Sequence, residues 1–204
     1  GQQIPTGLQV DSGVRAVGTS RLHTTGSFQQ TGNTFDMAIE GDGFFTVQDV
    51  EGNLFYTRAG NFRLDGQNQL VSPDGYLLDP AVTIQPDAQN VTVSEDGSIS
   101  GTMPGQTQSQ VLGQIQLSRF PNPTGLKSEG NNLFSATDAA GTVQQGQPGL
   151  QGMGSLRQGF LEASNVQVVT ELISLISAQR AYEINSRAIR AGDEMLSTTT
   201  EIVR

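Results

Sequence analysis

The sequence has no cysteine and no tryptophan, and it contains one histidine and one lysine among 204 residues. The absence of cysteine excludes disulfides, thiolate metal sites and cysteine nucleophiles. A single histidine, His23, excludes metal sites built from several histidines. No apolar run approaches the roughly 20 residues of a membrane-spanning helix. We therefore expect no cofactor, no bound metal and no insertion into a membrane.

Charge is also scarce, because Asp, Glu, Lys and Arg make up 15% of the residues, well below the usual quarter. Eleven basic residues stand against twenty acidic ones, which gives a net charge of −9. A chain of this sign repels polyanions, so nucleic acid and anionic membrane surfaces are excluded as partners. The remaining surface is polar but mostly neutral.

Residues 1–159 are punctuated by glycine and carry short apolar runs between turn signals. Pairs such as Asp74-Gly75 and Asp96-Gly97 accept positive φ and are typical of hairpin turns. This pattern predicts an antiparallel β-domain over residues 1–159, with a linker at about 141–159. The predicted strands cover residues 37–39, 43–47, 54–57, 61–64, 82–84, 91–93, 99–100, 111–118 and 132–135.

Three phenylalanines in these strands are candidates for the domain core. Phe44 and Phe45 are adjacent on a strand and point to opposite faces. We expect one of them in the main core with Phe62, and the other beneath a neighbouring hairpin or linker. Burial of both then requires cover on both sides of the strand.

Residues 160–204 have a different pattern, with apolar residues at steps of three and four and no proline after Asn165. The pattern predicts one long C-terminal α-helix with more apolar surface than one contact covers, as in a coiled coil. Ser164 with Gln167 three residues later forms a capping-box pattern and predicts the helix start. Gly192 either ends the helix at Ala191 or weakens it by about 1 kcal/mol. The fold class is therefore mainly β with a long C-terminal α-helix.

The sequence offers little that is typical of an active site. His23 has no nucleophile-elbow motif to work with, and Glu40-Gly41-Asp42-Gly43 and Glu95-Asp96-Gly97 lack the ligand spacing of a calcium loop. We interpret both acidic segments as turns and expect the acidic residues of the β-domain to be exposed, which excludes a glycosidase-like carboxylate pair. The glycines at 152–154 are followed by no lysine, so we predict a flexible linker rather than a phosphate loop. We predict that the protein is not an enzyme.

Several longer blocks carry a family resemblance. The segments GFLEASNV at 159–166, QRAYEINSR at 179–187 and DEML at 193–196 resemble the C-terminal signature of bacterial flagellar rod and hook proteins. The segments IEGDGFFTV at 39–47 and YTRAGNF at 56–62 resemble other blocks of that family. GLQV at 7–10, GVR at 13–15 and RLH at 21–23 are most similar to members that form the distal rod.

The resemblance implies a structural subunit of the flagellar axial rod that assembles with copies of itself into a helical tube and transmits motor torque to the hook. It implies contacts with proximal rod and hook proteins and with the surrounding basal-body rings, at the periplasm and cell envelope, after export without a cleavable signal peptide. Family members begin with an apolar N-terminal helix that pairs with the C-terminal one. We expect this chain to be a fragment without that helix.

One block departs from the family pattern. The stretch after YTRAGNF has Asn68 where an Asn-Gly turn is usual. Because asparagine tolerates the left-handed conformation, we expect the hairpin to persist.

We expect the assembly surface to lie on the C-terminal helix. An Arg180–Glu183 pair one turn apart would add a few tenths of a kcal/mol to the helix, and in an assembly Arg180 and Tyr182 would serve as interface anchors. The predicted assembly residues are Asn165, Val166, Leu172, Ile176, Gln179, Arg180, Tyr182, Glu183, Asn185, Met195 and Leu196.

A second interpretation from another class is a glycan- or matrix-binding β-domain with the helix as an oligomerisation stalk. An aromatic-lined groove would favour it. Nine phenylalanines, three tyrosines and no tryptophan make such a groove a poor match.

Overall fold

The computed structural model describes residues 23–106 and 108–202, with no account of the side chains at 196 and 199–202. The blocks at 7–10 and 13–15, and most of the block at 21–23, lie outside the described residues. Two short 3-10 helices cover Pro123–Gly125 and Asp138–Ala140. The strands and the helix, in chain order, are β1 Phe28–Gln30, β2 Met37–Glu40, β3 Phe44–Gln48, β4 Leu54–Thr57, β5 Arg63–Leu64, β6 Leu70–Val71, β7 Leu77–Asp79, β8 Gln89–Val93, β9 Ser98–Thr102, β10 Ser109–Gln114, β11 Leu117–Arg119, β12 Lys127–Gly130, β13 Leu133–Ser135, β14 Gln144–Gly146, β15 Ser155–Gln158, β16 Phe160–Glu162 and α1 Val168–Ile202.

The largest sheet has nine strands, and β3 lies at its centre. The main path runs β12-β13-β4-β3-β7-β6-β5, with β11 also paired to β3 and β14 paired to β11. Phe45 is opposite Thr57 on one edge of β3 and opposite Leu117 on the other. A three-stranded sheet, β10-β9-β8, and the pairs β15–β2 and β1–β16 complete the fold. All of these pairings are antiparallel, which confirms the predicted fold class.

Apolar side chains pack on both faces of β3. Phe45 lies in the main core, where its ring meets that of Phe62 at 5.1 Å between centroids. Phe44 points to the other face and packs in a smaller aromatic cluster with Phe120 and Phe134. The expected division of the adjacent phenylalanines between two covered faces is confirmed.

The hairpin at residues 65–69 forms as expected. Asn68 adopts φ = 60° and donates its backbone N–H to the carbonyl oxygen of Asp65 at 3.1 Å. The Asp65 carboxylate accepts from the backbone N–H groups of Gln67 and Gln69, each at 2.8 Å. Asparagine thus takes the left-handed position that glycine occupies in many such turns.

Two strand predictions were wrong in detail. Residues 82–84 form no strand, although Thr83 makes an isolated bridge with Gln69. The single strand predicted over residues 111–118 is divided into β10 and β11, and Ile115 between them donates its N–H to the Gly97 carbonyl at 2.8 Å. Because Ile115 is buried although it lies between β10 and β11, the apolar alternation of the sequence continues from one strand into the next.

The glycines at 152–154 do not form the predicted flexible linker. Met153 and Leu156 are buried in the main core, and β15 pairs with β2. Gly154 donates its N–H to the Asp42 carbonyl at 2.7 Å, and a Cβ on Gly154 would lie 2.7 Å from the Glu40 carbonyl oxygen. Glycine is therefore needed here for close packing of two backbones rather than for mobility.

Helix α1 begins three residues later than the capping box predicted, with Gln167 rather than Ser164 directly before it. The Ser164 hydroxyl accepts from the N–H of Val166 at 3.2 Å, while the Gln167 carbonyl accepts the helical bond from Glu171 at 3.1 Å. Gly192 does not end the helix, which continues through it to Ile202. At 1.5 Å per residue, its 35 residues span roughly 52 Å.

Tyr56 gives the β-domain a pH dependence at the alkaline end. The side chain is buried, and burial, with the nearby Asp79 carboxylate, raises the pKa of its phenol. The unfolded chain releases this proton at about pH 10, before the folded one does. Stability is therefore full below about pH 10 and falls as pH rises through the folded-state pKa.

We expect Tyr56→Phe to flatten this alkaline loss of stability, as measured by urea unfolding between about pH 8 and pH 11. Tyr76→Phe, which alters a less buried tyrosine packed against Phe55, serves as the control. Equal losses in Tyr56→Phe and the parent protein would show that Tyr56 is not the responsible group.

Candidate assembly surface

Helix α1 exposes a long series of apolar side chains to solvent. The exposed fraction is 47% at Ile176, the lowest value among the large hydrophobic residues exposed on the helix, and reaches 76% at Tyr182. Soluble monomers rarely expose contiguous apolar surface on this scale, and such surfaces mark sites of protein–protein contact. The others in this set are Val168, Val169, Leu172, Ile173, Leu175, Ile184, Ile189 and Met195.

The residues predicted for assembly are brought onto this helix and the segment leading into it. All but Leu196, whose side chain lies outside the described residues, are exposed. Gln179, Tyr182 and Glu183 line a shallow hollow with Leu175 and Ala178. The helix thus presents an apolar base rimmed by an amide, a phenol and a carboxylate, which suits a partner helix better than a small molecule.

The predicted ion pair between Arg180 and Glu183 was wrong. The Glu183 carboxylate instead lies 3.8 Å from the guanidinium of Arg187, one helical turn further on. In a helix, a glutamate placed four residues before an arginine is the favourable orientation. Arg180 therefore makes no described salt bridge and leaves its guanidinium available on the exposed helix.

The first predicted residue, Asn165, lies just before α1 and contacts the start of the described chain. Its side-chain amide donates to the Thr24 carbonyl at 3.1 Å and to the Thr24 hydroxyl at 2.9 Å. Two residues earlier in the chain, Ala163 donates its N–H to the Ser27 carbonyl at 2.8 Å. Asn165 therefore ties the helix entry to the β-domain.

Sequence reasoning missed Arg58 and Glu162, which lie at this same entry. Nε of Arg58 donates to Oε2 of Glu162 at 2.8 Å, and Oε1 of Glu162 accepts the N–H of Gly26 at 2.9 Å. The two side chains are 16% and 10% exposed. Each lies within a block that carries the family resemblance, and that was the available signal.

The features weighed for catalysis are accounted for by the fold. His23 packs edge-on against Phe44 and Phe134. Asp36 is buried, contrary to the prediction that acidic residues of the β-domain are exposed, and it accepts from Nδ2 of Asn33 at 2.9 Å. This hydrogen bond from the Asn33 amide offsets part of the cost of burying the Asp36 carboxylate.

The acidic glycine segments lie in connections between strands, as predicted. Gly41, Gly43 and Gly97 adopt positive φ. Across the described residues, no three histidine, aspartate or glutamate side chains gather where they could hold a metal ion. The search of those residues also finds no helix with the length and hydropathy to cross a membrane.

Two family models match the chain. Residues 38–101 match the flagellar hook protein FlgE/F/G D1 domain, and residues 157–202 match the flagellar basal body rod FlgEFG protein C-terminal region. The first covers strands from β2 to β9, and the second covers the end of the β-domain together with α1. Both models describe flagellar hook or basal-body rod proteins.

Whole-chain comparisons agree with these matches. The chain is 45% identical to the flagellar basal-body rod protein FlgG of Buchnera aphidicola subsp. Acyrthosiphon pisum, over 98% of this chain and 76% of that protein. It is 43% identical to the rod protein FlgG of Caulobacter vibrioides, over 99% and 77% of the two chains, and 39% identical to that of Bacillus subtilis, over 90% and 70%. The chain belongs to the FlgG family of flagellar basal-body rod proteins.

Proposed function

We propose that this chain is a structural, non-enzymatic subunit of the distal flagellar rod, and that it polymerises through α1 into a helical tube. The exposed apolar surface of a 35-residue helix carries the proposal. Heterologous contacts that do not close into a ring generate helical polymers. Membership of the rod protein family supports this outcome over a closed oligomer.

The proposed division of labour gives residues 1–159 to an outer β-rich domain and residues 160–204 to the inner core of the tube. The difference in burial supports it, because most apolar side chains of the strands are packed inside two cores, whereas the large apolar side chains described on α1 are exposed. Long helices packed side by side resist twist. The tube would thereby carry torque from the motor to the hook.

The proposed partners are further copies of this chain, proximal rod and hook proteins at the two ends, and the basal-body rings around the tube. The proposed location is the periplasm and cell envelope, after export without a cleavable signal peptide. The family relationship supports both. The sparse charge of the chain, 15% of residues, also limits repulsion between stacked copies.

Within α1, the polar residues of the QRAYEINSR block would set the register between neighbouring helices. Tyr182 and Glu183 lie three and four residues after Gln179 and share its face of the helix, with Arg180 on the adjoining stripe. A polar group left unpaired in a packed interface costs about 1–3 kcal/mol. Misaligned helices would therefore be disfavoured even where apolar contacts remain.

Replacing Arg180 and Tyr182 together by alanine in the full-length subunit is expected to abolish or disorder the rods and to stop motility. Both side chains are exposed on α1, so the fold should be unchanged by circular dichroism and thermal unfolding. Electron microscopy of basal bodies and a swimming assay measure the outcome.

Ala181→Ser is the matched control, since Ala181 is exposed on the turn between the two mutated residues. This substitution should leave rods and swimming intact. Normal rods and full motility in the Arg180/Tyr182 double variant would remove these two residues from the assembly surface.

A further inference from the structure

Near the start of α1, the guanidinium of Arg58 forms hydrogen bonds to groups from separate parts of the β-domain. Arg58 lies directly after β4, and its Nε donates to Glu162 at the end of β16. Nη1 donates to the carbonyl oxygens of Gly41 at 3.1 Å and Gly43 at 3.0 Å, and Nη2 donates to that of Ile39 at 3.2 Å. Four hydrogen bonds thus join β2, its following turn and β16 through one side chain.

Glu162 is held equally closely on its other side. Its second carboxylate oxygen accepts the backbone N–H of Gly26, two residues before β1. A Cβ on Gly26 would clash with the Ala163 carbonyl oxygen, so only glycine permits this approach of the two segments. The carboxylate therefore binds the segment before β1 to the segment that leads into the helix.

We propose that Arg58 and Glu162 form a positioning joint that sets the direction in which α1 leaves the β-domain. Five residues separate Glu162 from Val168, the first residue of α1. The hydrogen bonds of Ala163 to Ser27 and of Asn165 to Thr24 constrain the intervening stretch further. Asn165 is the last residue held by these contacts, and only Val166 and Gln167 lie between it and the start of α1 at Val168.

The chemistry of the joint requires arginine. A planar guanidinium presents its N–H donors in a fixed fork and can serve a carboxylate and three carbonyls at once, whereas a lysine ammonium has three donors at a single point. Because both side chains are largely shielded from water, their charge-assisted bonds are stronger than those of an exposed pair. Arg58→Lys therefore keeps the charge but loses the geometry.

The absence of cysteine in the natural sequence allows a direct test by paired spin labels. One label replaces Val50, which is 95% exposed in the β3–β4 hairpin, and the other replaces Val169 in the first turn of α1. We expect the label-to-label distance distribution to become about twofold broader in Glu162→Gln and in Arg58→Lys, because the fork-to-carboxylate bonds are lost. The helical content by circular dichroism should not change.

Glu129→Gln is the matched control. Oε1 of Glu129 also accepts from one cation and one further donor, Lys127 Nζ and Ser135 Oγ, each at 2.8 Å, but this pair is exposed and remote in sequence from the helix. Its distance distribution should equal that of the parent. An unchanged distribution in Glu162→Gln and Arg58→Lys, or an equal broadening in Glu129→Gln, would overturn the proposal.

Folding of the variants is checked by thermal unfolding. If both joint variants unfold the β-domain, the pair is a part of the domain core and the proposed positioning role is wrong. The measurement uses the chain alone at low concentration, so its result does not depend on whether the chain builds rods.

Discussion

Phe45→Ala is expected to lower the free energy of unfolding of the β-domain by about 3–5 kcal/mol, and Phe62→Ala by a similar amount. Both side chains are fully buried, and their rings meet almost perpendicularly in the main core. Truncation of either ring leaves a cavity that close-packed neighbours fill only in part. Urea unfolding followed by circular dichroism measures the loss.

Phe44→Ala tests the second cluster independently, because its ring packs with Phe120 and Phe134 on the opposite face of β3. The exposed Val50 provides the control, since Val50→Ala should change stability by no more than about 0.5 kcal/mol. Losses below about 1 kcal/mol at Phe44, Phe45 and Phe62 alike would contradict the assignment of these residues to the cores.

Ending the full-length subunit after Gln167 is expected to abolish rod formation completely while the β-domain remains folded and soluble. The helix contributes exposed apolar side chains, and none of its described side chains belongs to either buried core. Thermal unfolding of the truncated chain should retain the midpoint of the parent, and electron microscopy should show no rods.

The position of the break decides what this experiment tests. A chain ended after Gly159 would also lose β16, the partner of β1, together with Glu162 and its bonds to Arg58 and Gly26. Such a chain should be less stable than one ended after Gln167. Cooperative unfolding of the strands on removal of α1 alone would show that the helix belongs to the domain core.

The strongly periodic parts of this fold were predictable from sequence, and the polar parts were not. Residues 37–47 and 54–57 have the apolar content of central strands, and they form β2, β3 and β4. Strands β12 and β14, with the sequences KSEG and QQG, contain no apolar residue. These two segments are strands because they pair with β13 and β11. Pairing with a neighbouring strand leaves no local signal in the sequence.

The candidate site divides in the same way. Exposure of α1 followed from apolar stripes too wide for one contact, which are visible in the sequence. The Arg58–Glu162 pair joins residues 104 positions apart, and such a contact exists only once the strands between them are ordered. Both residues lie in blocks that carry the family resemblance, but their contact with each other is visible only in the folded structure.

The pairing of β1 with β16 brings the first and last strands of the β-domain together. Gln30 and Phe160 lie opposite each other in the antiparallel register, so the two ends of the intervening chain lie side by side, next to the segment that leads into α1. Strands between those two points that make no contact with Arg58 or Glu162 can lengthen, shorten or be exchanged without moving the start of α1. If the chain assembles through α1 as proposed, foreign domains grafted between these two points would decorate the rod rather than interrupt it.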